Sequence, residues 1–158
     1  MSPHKIFLGA DHGGFELKQA LKRHLEDGGF EVADFGTHGT EAVDYPDFAL
    51  LVAQAVSGSR AAGGDAVGIM IDSIGQASAI VCNKVPGIRA VAGYDPFAIR
   101  SSREHNDANV LCLGGQVLGR GLACDLVDTW LRTAYAGGRH QNRVDKIHAV
   151  ERRYLRSK

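Results

Sequence analysis

Short apolar runs alternate along this chain with longer segments of helical periodicity. The short runs lack the polar alternation of a half-exposed strand, which is typical of strands that are buried on both faces. Five such strands are predicted, at residues 6–10, 30–35, 66–71, 88–92 and 109–113.

The segments between these strands predict helices. Gly28 and Gly29 end the first helix, and Asp95 followed by Pro96 begins the fourth. The predicted helices cover residues 15–27, a segment that begins at Tyr45, residues 74–82, 95–104 and 118–133, and part of 139–156.

Strands that alternate with helices predict a parallel sheet covered by helices on both sides. We therefore expect one domain over residues 1–158, with an α/β fold: a Rossmann-like, doubly wound, five-stranded parallel sheet in a three-layer α/β/α arrangement. We expect the last helix to pack on a neighbouring subunit. Open sheets of this kind bind ligands at the carboxyl ends of their strands, so we expect the chemistry in the loops that follow the strands.

Composition narrows the range of functions. Eighteen Lys and Arg residues balance eighteen Asp and Glu residues, so a broad nucleic-acid-binding surface is not expected. The apolar run near the amino terminus is too short for a signal peptide or a membrane span, which predicts a cytoplasmic protein without a membrane partner. The three cysteines are widely spaced, and no metal site is expected.

The first strand is followed directly by Asp11, His12 and two glycines. Glycines let the backbone approach a ligand closely, and a helix N-terminus attracts anions. Asp11 is suited to accept hydrogen bonds from sugar hydroxyls, and His12 to donate to a phosphate or a hydroxyl. The alternative is that Asp11 only caps the first helix.

Arg139 and Arg143 are four residues apart, which places them one turn apart on one face of a helix. Two fixed guanidiniums suit a phosphate, because each donates paired hydrogen bonds to it. The alternative is a solvated basic face.

A polar loop that contains His105 and Asn106 precedes the fifth strand. This is the amino end of the strand, so the loop lies at the wrong edge of the sheet for the crevice of its own subunit. A dimer would resolve the difficulty by delivering His105 into the crevice of a neighbour.

Together these segments resemble the ribose-5-phosphate isomerase B family, which includes the galactose-6-phosphate isomerase subunits. The resemblance extends from about residue 6 to residue 147, nearly the whole chain. The segments that carry it are residues 11–15, 34–36, 43–46, 83–90, 102–113, 137–140 and 143–144.

The resemblance implies an aldose–ketose isomerase that converts ribose 5-phosphate to ribulose 5-phosphate through a cis-enediolate, as in the pentose phosphate pathway. It implies no metal and no cofactor, and a homodimer or homotetramer in which two subunits share each site. The implied roles are ring opening by His105 with help from Asn106, substrate contact by Asp11 and His12, a pocket wall at Tyr45, and phosphate binding by His12, Arg139 and Arg143.

The loop after the third strand departs from the family pattern. The family has a cysteine base at Asp72 and a hydroxyl-bearing threonine at Ile74, while some members place a glutamate base at the position of Ser78. Gln116 stands where an arginine near the phosphate is usual. We expect the loop and this glutamine to contact the substrate through Ser73, Ile74, Gly75, Gln76, Ala77 and Gln116.

Two interpretations of Asp72 stay open. In the first, which we adopt, its carboxylate replaces the cysteine as the base, since carboxylates serve as bases when burial raises their pKa. In the second, Asp72 caps the third helix. The protein is then a non-catalytic or weakly active paralogue, which binds a sugar phosphate or pairs with an active subunit.

Overall fold

Five parallel strands form the centre of the computed structural model, which describes residues 5–154. The strands follow one another across the sheet in the order β2-β1-β3-β5-β4. Their bounds are β1 Lys5–Ala10, β2 Glu31–Asp34, β3 Val67–Asp72, β4 Ala90–Ala92 and β5 Val110–Gly114. The predicted five-stranded α/β fold is confirmed.

Helices cover both faces of the sheet. The helices α1, α4 and α5 bury one apolar cluster, which contains Trp130, and α2 and α3 bury the other, which contains Met70. The helices are α1 Phe15–Asp27, α2 Tyr45–Ala61, α3 Gln76–Cys82, α4 Pro96–Asn106, α5 Arg120–Arg132 and α6 Gln141–Tyr154, with a 3₁₀ turn at Gly138–His140. None of these helices in residues 5–154 is long and apolar enough to cross a membrane.

The strand register determines which loops are neighbours. Ala10 pairs with Ile71, so the residues that follow these two, Asp11 and Asp72, lie side by side at the carboxyl edge. Asp72 in turn pairs with Gly114 of β5. The loops after β1, β3 and β5 therefore converge at one place.

Glycines allow this convergence. A Cβ on Gly14 would collide with the main chain of Ile71, and a Cβ on Gly115 would collide with the main chain of Gly13. Residues without a side chain are required there, because the β1–α1 loop packs directly against its two neighbours.

The carboxyl-terminal helix α6 contacts its own chain. The main-chain N–H of Gly87 donates to Glu151 Oε1 at 2.7 Å, and Arg89 Nη1 lies 2.9 Å from His148 Nε2. Packing of this helix on a neighbouring subunit stays a prediction.

Candidate functional site

The β3–α3 loop is organised around the carboxylate of Asp72, which is buried at the end of β3. Its Oδ1 accepts hydrogen bonds from the main-chain N–H groups of Ile74, at 2.8 Å, and of Gly75. Its Oδ2 accepts from the main-chain N–H of Ser78, at 3.0 Å, and from the Ser78 hydroxyl. The loop can fold back in this way because Gly75 adopts a φ of 92°.

These contacts bear on the two interpretations of Asp72. A carboxylate has about four lone-pair positions, and here four hydrogen bonds occupy them. All four donors belong to the loop and the first turn of α3, so neither oxygen is free for a substrate while the loop keeps this form. The geometry favours the second interpretation, in which Asp72 holds the amino end of α3.

Asp11 lies beside Asp72 and has different contacts. Its Oδ1 accepts one hydrogen bond from the main-chain N–H of Gly14 at 3.1 Å. Burial raises the pKa of Asp11 above its ordinary value; the amides of Gly14 and Gly13 and the charge of His12 oppose this, and the charge of Asp72 adds to it. Asp11 therefore makes the capping contact of the alternative interpretation, and its carboxylate is more basic than that of an ordinary aspartate.

The other predicted residues of this edge surround the two aspartates. The Nδ1 atom of the exposed His12 lies 3.2 Å from the main chain of Val43, two residues before the half-buried Tyr45. The main-chain N–H of Gln116 donates to the carbonyl of Ser73 at 3.0 Å. The structure thus brings together predicted residues from the segments that follow four strands, β1, β2, β3 and β5: Asp11, His12, Tyr45, Ser73, Ile74, Gly75, Gln76, Ala77 and Gln116.

Tyr94 lies at the same edge of the sheet, although the sequence analysis did not assign it to the site. Its hydroxyl donates to the carbonyl oxygen of Ile74 at 2.6 Å, so it fixes the β3–α3 loop from the side of β4. A polar aromatic residue directly after a predicted strand was the signal available in the sequence.

A second cluster lies at the end of α4. The His105 ring stacks on His140, with 4.2 Å between the ring centroids and 9° between the planes. His105 Nδ1 lies 2.9 Å from the Ser101 hydroxyl. Burial lowers the pKa of His140, and the charges of His105, Arg139 and Arg143 lower it further, which favours a neutral ring at pH 7.

The two predicted phosphate-binding arginines belong to this second cluster. Arg139 lies in the 3₁₀ turn and Arg143 in the first turn of α6, so the two residues belong to two consecutive elements and not to the single helix that was predicted. Both side chains are exposed.

The turn between α4 and β5 is held by arginines that the sequence analysis did not assign to the site. Arg89 Nε donates to the carbonyl of Asn106 at 2.8 Å, and Arg89 Nη2 to Asp107 Oδ2 at 2.6 Å. Arg103 Nη1 lies 3.3 Å from Asp107 Oδ1. The spacing of four residues between Arg103 and Asp107 was a visible signal, whereas Arg89 is distant in sequence.

The two clusters lie at opposite edges of the sheet. Asp11 follows β1 and Asp72 is the last residue of β3, whereas His105 and Asn106 precede β5, which runs parallel to both strands. A five-residue strand spans about 16 Å. One chain therefore does not bring His105, Asn106, Arg139 and Arg143 to the residues that surround Asp11.

An open parallel sheet with polar, glycine-containing loops at its carboxyl edge defines the class: an α/β protein with a crevice for a small ligand. The family model described as Ribose/Galactose Isomerase matches residues 6–147. The chain belongs to this ribose/galactose isomerase family.

Individual relatives match over almost their whole length. Ribose-5-phosphate isomerase B of Escherichia coli is 47% identical over 149 residues, which are 94% of this chain and 97% of that protein. The structure of ribose-5-phosphate isomerase B from Clostridium thermocellum matches with a TM-score of 0.89 and 51% identity, covering 95% of this chain and 99% of that one. The enzyme of the same name from Mycoplasma genitalium, with bound ribulose-5-phosphate, matches with a TM-score of 0.88 and 36% identity, covering 94% and 96%.

Proposed function

We propose that this protein is an aldose–ketose isomerase that interconverts ribose 5-phosphate and ribulose 5-phosphate. The observation that carries the proposal is the end-to-end match, at 47% identity, to an enzyme named ribose-5-phosphate isomerase B. The related structure with bound ribulose-5-phosphate supports the choice of sugar. The reaction belongs to the pentose phosphate pathway, and we propose a cytoplasmic location for it.

We propose further that two copies of the chain share each site. The carboxyl edge offers Asp11, His12 and the β3–α3 loop, and the amino edge offers His105 and the arginine pair. A second copy that places its amino edge over the carboxyl edge of the first completes one site. A homodimer is the smallest assembly that does this, and a homotetramer can contain two such dimers.

The proposed roles follow from position and chemistry. His105, whose Nδ1 is near the Ser101 hydroxyl, is suited to move the proton that opens the sugar ring, with Asn106 beside it. Arg139, Arg143 and His12 bind the phosphate. Tyr45 lines the pocket, and the loop residues from Ser73 to Ala77, together with Gln116, contact the sugar.

A non-catalytic paralogue is the second candidate function. The observation that favours it is the set of four hydrogen bonds that engages the Asp72 carboxylate at the position of the family base. In this case the protein binds a sugar phosphate or pairs with an active subunit.

One experiment separates the two functions. The purified protein is incubated with ribose 5-phosphate in deuterated water, and NMR follows deuterium at C2 of the aldose and the appearance of ribulose 5-phosphate. The isomerase is expected to give both signals, and Arg139→Ala to weaken them mainly through a higher KM. Calorimetric binding of ribose 5-phosphate without exchange or ketose would overturn the isomerase and support the paralogue.

A further inference from the structure

Two carboxylates compete for the role of base at the carboxyl edge of the sheet. Asp11 and Asp72 lie side by side on neighbouring strands, because the residues before them, Ala10 and Ile71, are paired. Both are 5% exposed, so burial alone does not distinguish them. Their hydrogen bonds do.

The acceptor positions of the Asp72 carboxylate are all occupied by hydrogen bonds, and those of the Asp11 carboxylate are not. The Asp72 oxygens accept four hydrogen bonds from Ile74, Gly75 and Ser78. Within the described part of the chain, the carboxylate of Asp11 accepts one, at Oδ1 from Gly14. Asp11 therefore keeps an oxygen with which to approach a ligand, and Asp72 can do so only by breaking the loop that it holds.

We propose that Asp11, and not Asp72, moves the proton between C2 and C1 of the sugar phosphate. This inference rests on the proposed isomerase function and assigns its base. Asp72 is then a positioning residue, which holds the β3–α3 loop in the form that contacts the sugar.

The step balances without any co-reactant. The Asp11 carboxylate takes the proton from C2, the C2–H electron pair forms the C1=C2 bond, and the C1=O π pair moves to O1. The carboxylic acid then returns the proton to C1 while the O2 hydroxyl passes its proton to O1. The ketone forms at C2, and Asp11 is again a carboxylate.

The surroundings of Asp11 suit this work. Desolvation by burial raises its pKa, as does the charge of Asp72, and a carboxylate with a raised pKa accepts a carbon-bound proton more readily. The neighbouring Gly13 packs so closely that a Cβ there would collide with the Ser73 hydroxyl. The Ser73 hydroxyl therefore lies beside the Asp11 loop, where a sugar hydroxyl would approach both.

The matched variants Asp11→Asn and Asp72→Asn test the assignment. Both remove one charge and keep the shape of the side chain. Asp11→Asn is expected to slow deuterium exchange at C2 by about 10²–10⁴-fold, the usual effect of losing a general base, while it still binds ribose 5-phosphate. Asp72→Asn is expected to keep measurable exchange and to show its defect as a lower melting temperature.

A rescue experiment distinguishes a base from a structural aspartate. Asp11→Gly with added formate is expected to regain exchange, because formate can occupy the vacated space and take the proton; a purely structural role would not respond. Exchange at the wild-type rate in Asp11→Asn, or its loss in Asp72→Asn with an unchanged melting temperature, would overturn the inference. A wild-type protein that binds ribose 5-phosphate without exchange would overturn the proposed function itself, and the base assignment with it.

Discussion

At the scale of single residues, the aspartate side chain has two different uses in this site. The number of hydrogen bonds that each carboxylate accepts decides which use it has. Asp72 is surrounded by the main-chain N–H groups of its own loop, so its charge stabilises that loop. Asp11 is at equal depth but has one such donor. The chemistry available to a buried carboxylate therefore depends on how many of its lone pairs the fold has already used.

Asp34 shows a third arrangement, a buried ion pair. Lys18 is fully buried, and its Nζ lies 2.6 Å from Asp34 Oδ1. Lys18→Met would leave the Asp34 carboxylate without its principal counter-charge. Because breaking a buried pair costs about 3–5 kcal/mol, we expect a loss of this size in the free energy of unfolding, measured by urea denaturation at pH 7. Lys22→Met is the matched control: Lys22 is 34% exposed and 3.3 Å from Asp34, so it should cost below about 1 kcal/mol.

Because of Asp34, we also expect the stability of the fold to depend on pH. Burial pushes the pKa of Asp34 upward, but hydrogen bonds from Lys18 and Gly36 outweigh this, and the net pKa is lowered from 3.8. A pKa that is lower in the folded state stabilises the fold above the unfolded value, and the stabilisation disappears as the pH falls through the folded value. Urea midpoints should therefore decline below about pH 4, and Asp34→Asn should flatten that decline. An equally steep decline in the variant would contradict the assignment.

At element scale, the order of strands and helices follows from the apolar pattern, while the ends of the elements depend on contacts that the pattern does not contain. The third helix was predicted to begin at residue 74 and begins at Gln76, because Gly75 adopts a positive φ and its N–H turns back to Asp72. The periodicity of apolar residues carries no information about a hydrogen bond from a loop N–H to a side chain. The sequence therefore offered both roles of Asp72, base and helix cap, but could not decide between them.

The turn from α4 to β5, which directly follows His105 and Asn106, is held by a cluster of charges. Asp107, with a φ of 44°, lies beside Arg60, Arg89 and Arg103 at 3.6, 2.6 and 3.3 Å. Asp107→Asn keeps a residue that tolerates this conformation but removes the charge that the three guanidiniums share.

We expect Asp107→Asn to lower the free energy of unfolding by about 2–3 kcal/mol, as for hydrogen bonds to charged groups. The melting temperature would fall by about 4–12 °C. Scanning calorimetry measures this, and Asp145→Asn, on the exposed face of α6, is the control that should change stability by no more than about 0.5 kcal/mol. Equal melting temperatures for the two variants would show that the arginines do not depend on Asp107.

At the scale of the whole molecule, the positions of the two clusters carry the argument for a shared site. The sequence was sufficient to name the residues of both clusters and to place His105 at the amino end of β5. It could not show that His105 stacks on His140, because that contact joins segments that are far apart in the chain. Nor does the spacing of the two arginines reveal that a 3₁₀ turn, and not α6 itself, holds Arg139.

A shared site predicts that two impaired variants restore each other when activity is measured at a ribose 5-phosphate concentration well below the raised KM of Arg139→Ala. Asp11→Asn damages the carboxyl edge and Arg139→Ala the amino edge, so a mixed dimer contains one site with both defects and one intact site. Random pairing of equal amounts makes half of the dimers mixed, and co-expression should recover about a quarter of the wild-type rate of ribulose 5-phosphate formation. Arg139→Ala combined with Arg143→Ala is the control that should recover nothing, because both defects lie on the same edge and every site then lacks one guanidinium. If the first mixture gave only the sum of its two variants, each site would have to be built within one chain, and the two edges of the sheet would need another explanation.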